Sequence, residues 1–492
     1  MKKIISIIII GLLLICLWNP LTNIVKAEDN DWWNTDWEFR KEITINHDMV
    51  LSDIDNFPIL FHNISSDFSY KPQDLGWDFV FISSDGTKQY NHEIEYYHRN
   101  TGELIAWVNI SSLSSTEDTT LYIYYGNPSC SNQEDVAGTW NSDFVGVWHC
   151  NNDVDNGIDD IKDSTANNNH GTTQNMEYED LVEGKISKAF NFDGNNEKVL
   201  VYDSQHGSLD LTDSITLECW WNADDLSNSY NTLLGKSSEM GAYQYEYRIR
   251  DTILTDNVYS LLTYGGLRED NKTHSTNTWY HGVVTLDSSN VIFYNEGTIS
   301  TIHDTPDLLS VYGQFGFGAA GDYGNYFTGI IDEVRVSRTS RSANWIETSY
   351  NTMNNPSEFL AVGSEENKPE ENNPPNAPDV NGPDRGNPEI EYEYTFNSTD
   401  PDGDPVMYFV DWGDNNTEWT EFSDSGQEIK LKHTWLKNGD YLIKAKSKDI
   451  YDAESDWTEI EMLIPRPRTT FYSLLSWLLN RFPLLERLLG II

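Results

Sequence analysis

The sequence predicts an all-β protein built from several domains. Three observations carry this. Short runs of alternating apolar and polar residues recur along most of the chain, clusters of Asn, Asp, Gly and Ser separate them, and no long stretch before the C-terminus has a clean helical period. Each run offers one apolar face, and pairing sheets face to face is what hides such faces, so sandwiches are the expected form. The 492 residues, 38% hydrophobic and 13% aromatic, can fill several packed cores.

At the amino terminus, Lys2 and Lys3 precede an apolar run from Ile4 to Trp18, followed by Asn19-Pro20 and the small-residue exit Val25-Lys26-Ala27. These are the three regions of a secretory signal, so residues 1–27 read as a signal peptide cleaved near Ala27. The run is shorter than the roughly 20 residues of a spanning helix. Ile15 stands where a lipoprotein signal wants a small residue before Cys16. The mature protein is expected to be secreted or held at the cell surface. It keeps Cys130, Cys150 and Cys219, an odd number, so a disulfide framework is not expected to hold the fold, although a Cys130–Cys150 bridge stays open. Cys219 alternates with Leu217 and Ile215, which predicts a buried thiol. A net charge of −47, from 79 acids against 32 bases, argues against nucleic acid or an anionic membrane as the main partner and favours divalent cations.

Strand-like runs divide the remainder. Residues 31–140 form a first β-domain, with strands at Glu42–Ile45, Phe79–Ile82, Leu104–Ile110 and Leu121–Tyr125. Residues 141–364 continue the rhythm through Val199–Tyr202, Ile215–Trp221, Tyr280–Leu286 and Val291–Asn295, and Trp220 and Trp279 are spaced as inward residues of facing sheets. The stretch 365–378, rich in Glu, Asn and Pro, reads as an exposed linker before a further domain at 379–464. From 465 to 492 the chain turns apolar at helical spacing, but Pro483 splits the helix and Arg481, Glu486 and Arg487 make a membrane span costly. Three readings of that tail stand: docking onto a domain, lying in a membrane or envelope interface, or marking the protein for the cell surface.

The chemistry-bearing residues gather in two places. Gly329 to Arg338 reads G-I-I-D-E-V-R-V-S-R, a strand that carries Asp332 and Glu333 among its apolar residues. Upstream, Asp163 to Gly171 is an oxygen-rich loop able to supply the rest of a hard-cation site. A glycosidase needs two carboxylates facing one cleft, and strand alternation sends the adjacent Asp332 and Glu333 to opposite faces. Glu93-Ile94-Glu95 and Glu391-Tyr392-Glu393 have same-face spacing but read as solvated strand faces. Asp400, Asp402 and Asp404 imitate the start of an EF-hand loop, yet Pro405 stands where that loop needs glycine, so a turn is expected. With no triad context, zinc-protease spacing or phosphate-cradling loop, no enzyme is expected.

Several ordered elements carry a resemblance: Val147-Trp148-His149, the Asp163–Gly171 loop, Ala189-Phe190-Asn191-Phe192-Asp193-Gly194, Thr278-Trp279-Tyr280-His281, Phe293-Tyr294-Asn295-Glu296-Gly297 and the Gly329–Arg338 strand. Together they make residues 141–364 similar to the laminin-G-like or concanavalin-A-like lectin sandwich, a jelly roll. The resemblance implies a calcium (Ca2+) site with Asp163 and Asp332 as side-chain ligands and carbonyl oxygens from Asn168, His170 or Gly171. Ala166 and Asn169 depart from the glycines usual in that loop. Trp37 to Ile45 and Leu121 to Asn127 make the first domain similar to an uncharacterised exported domain. Its Trp32, Trp33 and Trp37 either close a sandwich edge or stack on sugar rings. Asp400 to Pro405, Val410-Asp411-Trp412-Gly413-Asp414, His433-Thr434-Trp435 and Gly439-Asp440-Tyr441 make 379–464 similar to a polycystic-kidney-disease (PKD) domain, an immunoglobulin-like sandwich, with Asn415 in place of the usual glycine.

These resemblances imply an exported, non-catalytic surface protein, carbohydrate-binding or adhesive, with calcium supporting its lectin-like domain and a glycan or glycosylated partner. Two alternatives remain: a glycan-processing enzyme or accessory with its activity in the first domain, and a purely structural envelope component.

Overall fold

The computed structural model describes residues 32–466 except 155–156, 204–206, 239–241, 253–254, 322–323 and 370–371, together with Trp477 and Arg481. The expected signal peptide and most of the apolar tail lie outside the described residues. No helix of the described residues is long and apolar enough to cross a membrane. The fold is nearly all β, as expected, and the chain divides into two compact units, one spanning Asp31–Lys368 and the other holding the residues from Pro369 onward.

The first unit contains two sandwiches. In the smaller, the strands Leu360–Asn367, Phe39–Ile45, Thr119–Tyr125, Val80–Ser83 and Gln89–Tyr90 make one sheet in that order. Ile54–Ile64, Glu103–Leu113 and His92–His98 make the second. The larger sandwich has a sheet ordered Leu181–Glu183, Lys188–Asp193, Thr328–Ser337, Ile215–Ala223, Tyr280–Leu286, Asn290–Asn295, Thr298–Asp304, and Phe144–Trp148 also pairs with Thr328–Ser337. Facing it is a seven-stranded sheet running Gly266–Thr273, Thr255–Thr263, Tyr243–Thr252, Tyr230–Ser237, Gln314–Phe317, Lys198–Val201, Gly171–Gln174. Between these two sheets lies one core, including Trp148, Cys219, Trp221, Tyr245, Tyr259, Phe315 and Val334. Cys219 is buried beside Leu217 and Ile215, and Cys130, Cys150 and Cys219 are all free thiols.

Three sequence expectations need correction. The boundary at 364 falls inside a strand: Leu360–Asn367 pairs along Phe39–Ile45 and completes the first sandwich. Residues 365–367 look like linker because they are acidic, but Glu366 accepts from Arg40 Nε at 2.8 Å and Glu365 from the Tyr125 hydroxyl at 2.7 Å. A helix does occur before the tail, at Ala343–Asn354, begun by Ser342, whose hydroxyl caps the Trp345 amide at 3.2 Å. Its buried side includes Thr348, Ser349 and Thr352 as well as Trp345, Ile346 and Met353, so the helical stripe is only partly apolar. Trp220 does not face the inter-sheet core. It points to the other side of its sheet, into a second core that also holds Phe57, Trp107, Trp140, Trp345 and Met353. That core is where the first sandwich and the helix cover the outer face of the larger sandwich. Trp32, Trp33 and Trp37 pack with Tyr124 and close an edge of the first sandwich.

The second unit is a small sandwich of Asp379–Asn381, Glu391–Asn397 and Ile429–Thr434 against Thr417–Trp419, Val406–Asp411, Gly439–Asp449 and Thr458–Ile464. Trp412 and Trp435 anchor its core, and the His433 ring stacks on Trp412 at 4.7 Å. Asn415 takes φ 71°, the left-handed conformation that explains why glycine is usual there.

The Leu360–Asn367 strand yields a stability prediction. A fragment ending at residue 359 should unfold at least about 5 °C below one ending at 368, since an edge strand and its ion pair are lost. Circular-dichroism melting of the two fragments measures this, and equal midpoints would show that the strand contributes nothing.

Candidate functional site

The Thr328–Ser337 strand departs from strict alternation at one place. Asp332 stands opposite Trp220 and Arg335 opposite Glu218, so the register slips by one residue between them, and Glu333 takes φ 50°. This is a β-bulge, which inserts a residue and re-aims the side chains around it. Its effect is specific. Ile331, Val334 and Val336 all remain in the inter-sheet core, while Asp332, Glu333 and Arg335 lie on the outer side, toward the first sandwich and the helix. The expectation that alternation separates Asp332 from Glu333 is thereby overturned.

A second bulge meets it from the first sandwich. The pairing of His92–His98 with Glu103–Leu113 slips between Ile94 and Tyr96, at Glu95. Rather than forming a solvated strand face, Glu93 is 8% exposed and the Glu95 side chain is wholly buried. Between the two bulges lies His149, just past the Phe144–Trp148 strand. Its Nδ1 is 2.7 Å from Glu333 Oε1 and 3.7 Å from Glu95 Oε2, and its Nε2 is 3.3 Å from Glu93 Oε2. The outer atoms are held in turn. Trp107 Nε1 donates to Glu95 Oε2 at 2.9 Å, Trp140 Nε1 to Glu93 Oε2 at 2.8 Å, Ser164 Oγ to Glu93 Oε1 at 2.6 Å, and Arg335 Nη2 to Glu333 Oε2 at 2.6 Å. The Arg335 guanidinium lies over the Trp107 ring at 4.3 Å.

Burial and mutual charge set the protonation of this cluster. Burial, then the Glu333 charge, push the Glu95 carboxyl up to about 8. Burial alone would drive the His149 imidazole down, but the Glu333 and Glu93 carboxylates outweigh it and hold it well above its ordinary value. Glu333, though buried, is held below the usual range by His149 and Arg335. Burial, with Glu333 and Glu95 as like charges, raises Asp332. On the far side of Arg335, Glu218 accepts from Ser349 Oγ at 2.9 Å and lies 2.9 Å from His281 Nε2. Burial opposes its ionisation, yet His281 and Arg335 hold it down at about 2.

The residues expected to ligate calcium are organised by other contacts. Asp163 accepts from the amides of Val147 at 3.0 Å, Thr165 at 2.9 Å and Asn169 at 2.7 Å, and from Thr165 Oγ1 at 2.8 Å. His170 Nδ1 accepts from the Asp163 amide at 3.0 Å, Asn168 takes φ 55° in the same loop, and Gly171 begins the Gly171–Gln174 strand. Asp332 Oδ2 accepts from the amides of Lys185 at 2.8 Å and Ile186 at 2.9 Å. So the two carboxylates tie down separate backbone segments. Among the described residues, the groups of three or more metal-capable side chains with ligand atoms within 4.8 Å of one another are Glu95, His149 and Glu333, and Asp400, Asp402 and Asp404. In the latter, Asp400 Oδ1 accepts the Asp402 amide at 2.8 Å and the Asp404 amide at 3.3 Å, closing a turn.

A different polar array lies on the outer face of the seven-stranded sheet. Tyr245, Tyr247 and Ile249 point into the core, so Gln244, Glu246, Arg248 and Arg250 lie on the other side of the sheet beside Thr232 and Ser260, all of them buried except the half-buried Arg250. Arg248 Nη1 donates to Glu246 Oε2 at 2.7 Å, Thr232 Oγ1 to Glu246 Oε1 at 2.5 Å, and Arg250 pairs with Glu269. At the rim the Tyr230 ring, 37% exposed, lies 4.4 Å from the Arg248 guanidinium. Gln244 Oε1 and Arg250 Nε are buried without a hydrogen-bond partner. Sequence reading missed this row, though the alternation of Tyr with Gln, Glu and Arg in 243–250 was its signal.

These sheets define a lectin-type β-sandwich joined to a smaller sandwich. Residues 193–347 match the profile of the concanavalin A-like lectin/glucanases superfamily, and residues 76–173 match that of a domain of unknown function, DUF2341. The chain thus carries a concanavalin A-like domain. Among solved structures, the PKD domain of a peptidase from a Thermoplasmatales archaeon is 46% identical over 20% of this chain and 100% of its own, at a TM-score of 0.19. Domain 4 of an extracellular arabinanase from Geobacillus stearothermophilus, in complex with arabinotriose, is 18% identical over 42% of this chain and 97% of its own, at 0.34. The binding domain of botulinum neurotoxin DC, in complex with SialylT, is 10% identical over 66% and 93%, at 0.33. Comparison with curated protein sequences returns no match.

Glu218 gives the site a pH signature. Its folded value near 2 lies below its ordinary 4.5, so the stability it contributes is present above about pH 4.5 and is lost as the pH falls toward 2. Glu218→Gln should lower the urea midpoint at neutral pH, and the gap to wild type should close as the pH is brought down to about 2–3. A gap that stays constant across that range would mean the carboxylate charge is not what Arg335 and His281 stabilise.

Proposed function

We propose that the protein is an exported, non-catalytic glycan-binding protein whose contact face is the outer face of the seven-stranded sheet. The exposed Tyr230 ring, with the half-buried Arg250 and Glu269 beside it at the edge of the buried row Gln244, Glu246 and Arg248, is the observation that carries this reading. A sugar ring presents hydroxyls that both donate and accept, together with an apolar face that suits an aromatic ring. This edge offers an acceptor from Glu269, a donor from Arg250 and the face of Tyr230. The superfamily match over residues 193–347 supports the same reading. The other face of this sandwich is covered by the first sandwich and the helix.

Binding rather than hydrolysis suits the acids of this face. Glu246 is taken up by Arg248 and Thr232, and Glu269 by Arg250, whereas a glycosidase needs one carboxyl kept as an acid and a second free to act on the anomeric carbon. Calcium is not required by this reading, since Asp163 already fills its oxygens with amide and hydroxyl donors. Export rests on the leader-like residues 1–27, and the PKD-like sandwich serves as a spacer or contact module.

Glycan-array binding by the full chain tests the proposal. Binding should survive brief EGTA treatment and fall at least about 10-fold in Tyr230→Ala and Arg250→Ala. Folded wild-type protein that binds no glycan, or binds equally well in both variants, would sink it.

A further inference from the structure

We propose that Glu95, His149 and Glu333 form a zinc site at the seam between the first sandwich and the lectin-like sandwich. One ligand atom from each lies within 4.8 Å of the others, and the three residues come from three separate stretches of chain. Both carboxylates stand at β-bulges, one in each sandwich, and both bulges turn an acid toward the same imidazole. Bulges re-aim side chains in this way beside functional sites.

The surroundings of each ligand are already secured. His149 Nε2 faces Glu93 Oε2, itself held by Trp140 and Ser164. Trp107 holds Glu95 Oε2 and Arg335 holds Glu333 Oε2. A histidine whose remote nitrogen meets a carboxylate is the usual outer arrangement of a metal-bound imidazole, because the carboxylate fixes the tautomer that leaves the other nitrogen to the ion. An independent observation points to a missing ligand. Glu95 Oε1 has no hydrogen-bond partner although the side chain is wholly buried. A buried carboxylate oxygen with no donor is a poor arrangement unless the group keeps a proton or a cation takes its place.

One imidazole nitrogen and two carboxylate oxygens suit zinc, whereas calcium takes six to eight oxygens. Tetrahedral bonds of about 2.0–2.1 Å place ligand atoms about 3.3–3.4 Å apart. The 3.7 Å from His149 Nδ1 to Glu95 Oε2 is a few tenths longer, so the carboxylate that carries Oε2 and the open Oε1 turns slightly toward the ion. The 2.7 Å from Nδ1 to Glu333 Oε1 is a hydrogen bond, which opens when the shared proton leaves to solvent and the ion replaces it. Two carboxylates then balance the divalent charge, and an ion so placed clips the two sandwiches together.

The test uses the full chain, loaded with Zn2+ and dialysed against a weak chelator to strip surface acids. Wild type should retain about one zinc per chain with an imidazole nitrogen in its X-ray absorption spectrum. Glu95→Gln, which keeps an acceptor for Trp107, should lose at least 10-fold in retained zinc together with the imidazole signal. Asp402→Asn, in the other acid group, should change neither. Zinc that washes off folded wild type, an all-oxygen shell, or equal retention by Glu95→Gln would overturn the site. Should Glu95→Gln fail to fold, the wild-type spectrum alone decides. Glycan binding on the opposite face is read separately, so either proposal can fail without the other.

Discussion

The unit from Asp31 to Lys368 depends on the 2.7 Å contact between His149 and Glu333, buried where the two sandwiches meet. A charged pair in such a place is costly unless every partner is present, and removing one leaves the other stranded. Here the partners come from both sides: Glu93 and Glu95 from the first sandwich, Glu333 and Arg335 from the second. Neither sandwich can withdraw without exposing half of a charge network and the apolar surface of Trp107, Trp140 and Trp220 around it. The two are therefore coupled in stability, although the sequence divides them into domains at 31–140 and 141–364.

The strand-rich fold was legible because period-two alternation is a local signal, visible in Ile215–Trp221 or Tyr280–Leu286 without knowledge of what they touch. What failed needed long-range information. Leu360–Asn367 looks like linker because Glu365 and Glu366 find their partners, Tyr125 and Arg40, far back in the chain. The helix at Ala343–Asn354 hides because Thr352 faces inward, where its hydroxyl accepts from the Leu60 amide at 2.9 Å. At the site, the same-face pair Glu93 and Glu95 was visible but was assigned to solvent, since burial by another domain leaves no trace in a short window. Neither bulge could be read at all. A bulge is a mismatch between two strands, and a single strand does not contain it.

The seam also decides what each sheet of the larger sandwich packs against. The central strands of the sheet that includes Thr328–Ser337 have both faces buried, one by the opposing sheet and the other by the first sandwich and the helix. Central strands of that sheet accordingly carry buried residues on both sides, as in Ile215–Ala223, where Cys219 and Trp221 face one core and Trp220 the other. The seven-stranded sheet differs. Its inner side is aromatic and aliphatic, and its outer side carries the polar row. Division of labour between the two sheets is thus set by what covers them, not by the sandwich fold, which they share.

One inserted residue at Glu333 reconciles demands that strict alternation could not meet. With perfect period two, Glu333 would stand with Ile331 on the core side, and Val334 and Val336 would turn out toward the first sandwich. The bulge keeps Ile331, Val334 and Val336 in the core while grouping Asp332, Glu333 and Arg335 at the seam. The left-handed φ of 50° at a glutamate is a local strain. It is offset because Glu333 gains His149 and Arg335 together, and Asp332 gains two backbone amides. Deleting Glu333 would relieve the strain and leave Val334 and Val336 in the core by plain alternation, but it would remove the carboxylate that His149 and Arg335 hold at the seam. The irregularity is therefore what lets a single strand serve the lectin-like core and the charged seam at once.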